Sequence, residues 1–262
     1  MREQATVFGE VAELYDKARA GYSDEIVDTV LEFAAGSPDD VRALEVGAGT
    51  GKATVAFAAR GVGIVALEPD PAMASVAMRN CATFPRVRLE VTTFEGWRPD
   101  AERYGLLFSA QAWHWVDPEV RWTKAASVVV PGGTVAIFWH RTDWRDEELR
   151  AELEAVYRRL APDLFAKNPS FPGLAPRDGE DELQAEMAAT ALFTDLRAHA
   201  RPWLASFTAD AFVDLLSTQS DHRLVDERER SALFDALRQL IDEAGGEVTV
   251  PHATVLVLAR VR

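Results

Sequence analysis

Short apolar runs alternate with stretches of helical spacing along the first half of the chain. Residues 41–46, 64–67, 87–91 and 104–109 are brief runs rich in Val, Leu and Phe, the pattern of strands. Residues 52–60 and 71–80 place apolar side chains every three to four positions, which predicts helices with one buried face. Pro71 suits a first helical turn, and Gly61 suits the residue just past a helix end. Residues 128–139, broken by Pro131-Gly132-Gly133, predict a helix end, a turn and a fifth strand. Ahead of all these, residues 1–40 predict two helical stretches joined near Gly21 and closed by Gly36-Ser37-Pro38.

The second half is more helical. Residues 143–160 and 180–191 predict helices, separated by an irregular loop at Asn168-Pro169-Ser170-Phe171-Pro172-Gly173. A sixth strand follows at 197–206, then helices at 208–217 and 227–243, then a last strand at 254–261 after Gly245-Gly246. Strands alternating with helices at this spacing make βαβ units and a mostly parallel sheet, an α/β fold. The expected organisation is a single domain over 1–262, with an N-terminal helical lid at 1–40 and a helical cap insertion at 141–196. The insertion is expected because strand connections usually take a handful of residues plus one helix.

Composition narrows the function. The 262 residues carry 28 Lys and Arg against 42 Asp and Glu, a net charge of −14. Nucleic-acid binding usually leaves a basic footprint, so a nucleic-acid partner is not expected. No apolar run reaches the roughly 20 residues that span a bilayer, and Met1-Arg2-Glu3-Gln4 does not open a signal peptide. A cytoplasmic protein, monomer or homodimer, without a membrane partner is expected. Cys81 is the single cysteine, so an intrachain disulfide is impossible. His199, His222 and His252 are scattered without metal-binding spacing, and no metal is expected.

The strongest local signal is Leu44-Glu45-Val46-Gly47-Ala48-Gly49-Thr50-Gly51, a glycine turn between a strand and a helix. Glycines there allow left-handed backbone and close approach of a ligand. A phosphate loop of the G-x-x-x-x-G-K-[ST] type fails twice, at Val46 and Ala53. A nicotinamide dinucleotide turn fails at its third glycine, where Lys52 stands. What is left is E-x-G-x-G-x-G. Glu68, at the end of the second strand, adds a carboxylate that can accept both hydroxyls of a ribose.

In these two segments the chain resembles class I S-adenosylmethionine-dependent methyltransferases. Residues 44–51 match the glycine motif of that family and 66–73 its ribose segment. Residues 87–97 are similar to its third strand and adenine loop, and 130–135 to the turn before strand five. Ser109-Ala110-Gln111-Ala112-Trp113-His114-Trp115-Val116-Asp117-Pro118 resembles the fourth-strand motif of the trans-aconitate methyltransferase-like subgroup. Tyr15-Asp16-Lys17-Ala18-Arg19-Ala20-Gly21-Tyr22 resembles the N-terminal motif of the same subgroup, with Ala20 where Pro is usual. The resemblance runs over almost the whole chain.

It implies a Rossmann-like seven-stranded sheet of order 3-2-1-4-5-7-6, helices on both faces, and S-adenosylmethionine as cofactor, leaving S-adenosylhomocysteine as product. The cofactor-binding residues it implies are Tyr15, Arg19, Glu45, Gly47, Ala48, Gly49, Thr50, Gly51, Glu68, Pro69, Met73, Thr93, Phe94, Ser109 and Gln111. Within this set Glu68 would take the ribose, Thr93 and Phe94 the base, and Arg19 the methionyl carboxylate. Tyr22, Trp113, His114 and Trp139 would face the acceptor, with His114 as a catalytic base if the acceptor must lose a proton. His140 stands where the subgroup more often has Asn. The activity expected is methyl transfer to a small molecule. Transfer to transfer RNA or protein, or cofactor binding without transfer, are the alternatives.

Overall fold

The computed structural model describes residues 9–34, 41–99, 103–142, 147–167 and 179–262. After a 3-10 turn at Gly9–Val11 come α1 (Ala12–Ala18), α2 (Asp24–Ala34), β1 (Arg42–Val46), α3 (Lys52–Ala58), β2 (Gly63–Leu67) and α4 (Pro71–Asn80). Next are β3 (Val87–Glu90), β4 (Tyr104–Ala110), a 3-10 turn at Trp113–Trp115, α5 (Arg121–Val128) and β5 (Val129–Thr142). The remainder is α6 (Glu147–Leu160), α7 (Pro162–Lys167), α8 (Gly179–Ala189), β6 (Phe193–Thr208), α9 (Ala209–Ser217), α10 (Ser220–Arg223), α11 (Glu227–Glu243) and β7 (Glu247–Val261). The predicted breaker at Gly36-Ser37-Pro38 and the loop from Asn168 to Gly173 lie outside the described residues.

The seven strands form one mixed sheet in the order β3-β2-β1-β4-β5-β7-β6, as the resemblance implies. β1 pairs in parallel with β2 and β4, β2 with β3, and β4 with β5. The chain divides into two compact units. Ala20–Trp139, Asp178–His199 and Val255–Arg262 make the sheet unit; Met1–Arg19, His140–Arg177 and Ala200–Thr254 make the second.

In the sheet unit, alternation along each strand sends neighbouring side chains to opposite faces. Leu44, Val46, Val65, Leu67 and Leu107 pack on one face with Trp113, Trp122 and Met187. Ala43, Ile64, Ala66, Leu106 and Phe108 pack on the other with Val27 and Val30 of α2 and Phe57 of α3. Glu45 alternates onto this second face, where it is fully buried. The strand pattern therefore commits a carboxylate to the interior.

Some boundaries differ from the sequence reading for identifiable reasons. α5 is short and runs straight into β5, so its apolar positions merge with those of the strand. β6 begins at Phe193 rather than 197; it is last in the sheet order, and exposed Asp195 and Arg197 dilute its apolar alternation. β7 begins at Glu247 rather than 254, because Pro251 reads as a strand breaker.

The second unit has its own core, built from Leu153 and Tyr157 of α6, Phe212 and Leu216 of α9, and Leu233 and Leu237 of α11. Inside it the hydroxyl of Tyr157 and Nε2 of His222 lie 2.9 Å apart, while Nδ1 of His222 is 2.9 Å from Asp221 Oδ1. Burial, and then the charge of Asp221, hold the Tyr157 phenol well above its ordinary pKa, so Tyr157 keeps its proton. Both side chains are completely enclosed. Tyr157→Phe is expected to destabilise the protein by about 1–2 kcal/mol. Urea unfolding followed by circular dichroism checks this, and an unchanged midpoint would show that the bond contributes nothing.

Candidate functional site

Parallel strands deliver three chain ends to one edge of the sheet: Gly47 follows β1, Glu68 follows β2 and Gln111 follows β4. The order β2-β1-β4 makes the gap between β1 and β4 the point where the connections diverge, the usual ligand crevice of an open α/β sheet.

The glycine turn is held by main-chain bonds. Gly47 and Ala48 both donate to the carbonyl of Leu67, each at 2.9 Å. Gly47 has φ +75°, and a methyl group there would collide with the side chain of Ala112. Turn and β4 end thus approach as closely as their backbones allow, which only glycine permits. Ala112 lies just past Gln111, which itself holds φ +65° while its N–H bonds to the carbonyl of Phe138 at 2.9 Å. A left-handed glutamine is uncommon, and such backbone persists where its surroundings over-determine it. Ser109 is buried and donates to the carbonyl of Val46 at 2.7 Å, tying β4 to the end of β1.

Glu68 braces the turn. Its Oε2 accepts from the N–H of Gly49 at 2.7 Å and its Oε1 from the N–H of Asp70 at 2.9 Å. Burial pushes the Glu68 carboxyl upward in pKa, and the two N–H donors oppose that shift. Asp70 in turn caps α4, accepting from Ala72 and Met73 at 2.8 and 3.0 Å, with Pro71 at the first helical position. Met73 is buried, and its terminal methyl is the nearest atom to the open side of Gly49. Pro69 between these residues is exposed.

Glu45 is a different acid. Its Oε2 accepts from the Thr54 hydroxyl at 2.6 Å, while Oε1 has no hydrogen-bond partner. Desolvation by burial pushes its pKa from 4.5 up to about 8; Thr54 works against this, and the nearby charge of Glu68 adds to it. Glu45 is therefore mostly a neutral acid near pH 7, joining β1 to α3 from inside. Thr50 is also buried in the turn, and its hydroxyl has no partner. Behind the turn, Gly51 packs within 3.3 Å of Ala77 and the Cys81 sulfur for any added Cβ. Burial, and then the charge of Glu45, push the Cys81 thiol to about 11.

The loop after β3 brings Thr93 and Phe94 together differently. Phe94 is buried and its ring lies 6.0 Å from Trp113, whereas Thr93 is exposed. The 3-10 turn at Trp113–Trp115 separates its side chains by face: Trp113 is buried 5.0 Å from Trp122, and His114 is exposed beside Trp115 at 4.5 Å. Tyr22 meets Phe138 edge-on at 4.8 Å, and Trp139 is half-buried against the core that holds Trp113.

Tyr15 and Arg19 belong to the second unit. There Arg19 donates to the Thr218 hydroxyl at 2.7 Å and the Thr218 carbonyl at 3.2 Å, at the C-terminal end of α9, with its guanidinium 5.2 Å from the Tyr15 ring. A cation is favoured at that end of a helix. His140, also in this unit, places Nδ1 2.9 Å from the Thr254 hydroxyl, which accepts from Trp203 Nε1 at 3.0 Å. Trp203 stacks on His252 at 4.4 Å.

Several residues that shape this edge carry no local sequence signal. Ala112 is the surface against which Gly47 closes, and Lys124 of α5 donates to main-chain carbonyls of the loop after β3. Asp70 was within reach, since Asp followed by Pro at a helix start is a recognisable cap.

Bare backbone at Gly47, Gly49 and Gly51, an unpartnered Thr50 hydroxyl and an acid with spare lone pairs suit an adenosyl amino acid. Residues 43–133 match the family model for a methyltransferase domain. An uncharacterized methyltransferase of Mycobacterium tuberculosis is 29% identical over 263 aligned positions, covering 98% of this chain and 97% of that one. Among solved structures, one assigned as a type II methyltransferase from Anaeromyxobacter dehalogenans shares the fold at a TM-score of 0.62 and 24% identity, over 92% of this chain and 97% of that chain. Phosphoethanolamine N-methyltransferase 2 of Haemonchus contortus, with phosphomonomethylethanolamine and S-adenosylhomocysteine bound, shares it at a TM-score of 0.53 and 15% identity, over 96% of this chain and 57% of that chain.

The buried acid under the turn generates a pH dependence. A carboxyl whose folded pKa is raised contributes stability that is complete below its unfolded pKa and is lost as pH rises toward the folded value. For Glu45 the window runs from about 4.5 to about 8. Wild-type protein is therefore expected to lose stability relative to Glu45→Gln as pH rises from 5 to 9, by a few kcal/mol at order of magnitude. Urea unfolding of both proteins at pH 5, 7 and 9 checks this; a constant difference would place Glu45 outside that window.

Proposed function

We propose that this S-adenosylmethionine-dependent methyltransferase transfers its methyl group to a small-molecule acceptor, with the donor lying along the glycine turn between β1 and β4. The observation that carries this reading is the Glu68 brace beneath a turn of left-handed glycines. A carboxylate offers about four lone-pair sites, and the N–H groups of Gly49 and Asp70 use two. The others are left for the two hydroxyls of a ribose. Ala48 and the unpartnered hydroxyl of Thr50 line the same turn, Met73 packs beneath the sugar, and Pro69 leads away from it. Thr93 and Phe94 take the base, while Ser109 and Gln111 shape the β4 side.

The cofactor supplies an activated methyl on a sulfonium. What the chain has to add is alignment and exclusion of water, effects that reach about 7–11 kcal/mol in favourable cases. Glu45, neutral and turned into the core, acts by holding β1 to α3 rather than by contacting charge. Arg19 is the proposed partner of the methionyl carboxylate. The cap role for 141–196 belongs to the same proposal and rests on the length of that connection; the lid role for 1–40 rests on Tyr15, Arg19 and Tyr22 standing ahead of the first strand.

A small acceptor fits a chain of net charge −14 better than a nucleic acid does. The trans-aconitate methyltransferase-like subgroup is favoured by the Ser109–Pro118 segment. Tyr22, Trp113 and Trp139 are its acceptor-side residues, and His114 is the group able to remove a proton near neutral pH. Radiolabelled methyl transfer into small-molecule, RNA and protein pools tests the acceptor class, and label confined to RNA or protein would overturn it.

Glu68→Ala is expected to weaken S-adenosylhomocysteine binding at least tenfold, since hydrogen bonds to charged groups are worth about 1.5–3 kcal/mol each. Calorimetry on the folded variant checks this, and wild-type affinity would remove Glu68 from the ribose. His114→Ala is expected to keep cofactor affinity and lose about a hundredfold or more in turnover, the lower end of general-base effects. Transfer at the wild-type rate would make His114 a bystander.

A further inference from the structure

We propose that Lys124 of α5 is a positioning residue for the base of the methyl donor: its ammonium gathers the carbonyl oxygens of Phe94, Glu95 and Trp97 and so sets the shape of the adenine loop. This inference rests on the cofactor reading above.

Between Glu90, the end of β3, and Tyr104, the start of β4, the described residues belong to no strand ladder. A loop without a ladder must find its partners elsewhere. Lys124 Nζ donates to the Glu95 carbonyl at 3.1 Å and the Trp97 carbonyl at 2.7 Å, and to that of Phe94 as well. Three donors on one ammonium thus meet three acceptors from four successive residues, which uses its full capacity. The same charge lies 5.1 Å from the centre of the Phe94 ring and 5.9 Å from that of Trp97, within cation–π range.

The remaining contacts tighten the loop around this point. Trp97 donates its main-chain N–H to the Thr93 carbonyl at 2.9 Å and its indole N–H to Glu90 at 3.1 Å. Gly96 donates to the Thr93 hydroxyl at 3.1 Å, and Glu95 accepts from the N–H of Asp117 at 2.8 Å. Burial of the ammonium and repulsion from Arg98 lower its pKa, and Glu95 opposes them. Phe94, the buried member of the pair assigned to the base, sits inside this knot, so the register of Thr93 and Phe94 depends on a residue about thirty positions away.

The test compares wild type with Lys124→Met, an unbranched side chain one atom shorter that removes the charge and donors, and with Lys124→Gln. Dissociation constants are measured by calorimetry for S-adenosylhomocysteine and for S-inosylhomocysteine, which differs only in the base. Lys124→Met is expected to bind S-adenosylhomocysteine about tenfold more weakly and to lose most of the wild-type preference between the two bases. Lys124→Gln should fall between, and it carries the comparison if Lys124→Met does not fold. A purely structural lysine would lower the unfolding midpoint and leave base preference as in wild type. That result, or unchanged affinity, overturns the inference alone. Wild-type protein that binds neither compound overturns the cofactor reading and this inference with it.

Discussion

Glu68 ties together two segments that the sheet alone would leave apart. One oxygen holds the glycine turn at Gly49 and the other holds the entry to α4 at Asp70. No side chain of the turn bonds to hold it: Gly47 must be bare to pass Ala112, and the Thr50 hydroxyl has no partner. Its shape is therefore imposed from β2, by one carboxylate and by the Leu67 carbonyl that receives Gly47 and Ala48. Asp70 extends the same logic one step outward, since the residue that donates to Glu68 also caps α4. Without that carboxylate the turn and the helix start lose a common reference.

Two glutamates lie within this small volume, and their environments separate their roles. Glu68 receives two main-chain N–H donors, which favour the charged form against burial. Glu45 receives a single hydroxyl and has one oxygen unpartnered, so desolvation dominates and the proton stays on. The division follows from strand alternation, because Glu45 points into the packed face while Glu68 follows the last residue of its strand. The second acid also acts on the first: a charge at Glu68 raises the pKa of Glu45 further.

Most strands, the glycine turn and the acid at position 68 were legible in the sequence because each leaves a local trace: apolar runs, a repeated glycine, a carboxylate at a strand end. The order of the strands came only from the family resemblance. The span of α4 was legible to the residue, since Asp70 and Pro71 mark its start and the apolar period runs unbroken to Asn80. Lys124 was not legible, because its partners are carbonyl oxygens, which every residue carries. Nor was the left-handed backbone of Gln111, which neighbouring strands impose rather than its own chemistry. Arg19 shows a third kind of gap. A cation near the N-terminus is easy to find, but the Thr218 that holds it is 199 positions away. The exposure of His114 and the burial of Trp113 likewise depend on a 3-10 turn that periodicity does not announce.

The thiol behind the glycine turn gives the molecule an internal clock. Cys81 is the chain's one cysteine, it is buried against Gly51, and its proton is held to about pH 11. Only the thiolate attacks a disulfide reagent, displacing the reagent's other sulfur, so the closed form reacts hardly at all at neutral pH. Labelling must wait for the packing of α4 on the turn to part, and its rate measures how often that happens. A ligand that stiffens the turn would slow the clock without touching the sulfur. Breathing of the crevice floor can thus be timed with a coloured reagent, in the unmodified protein, before any acceptor is known.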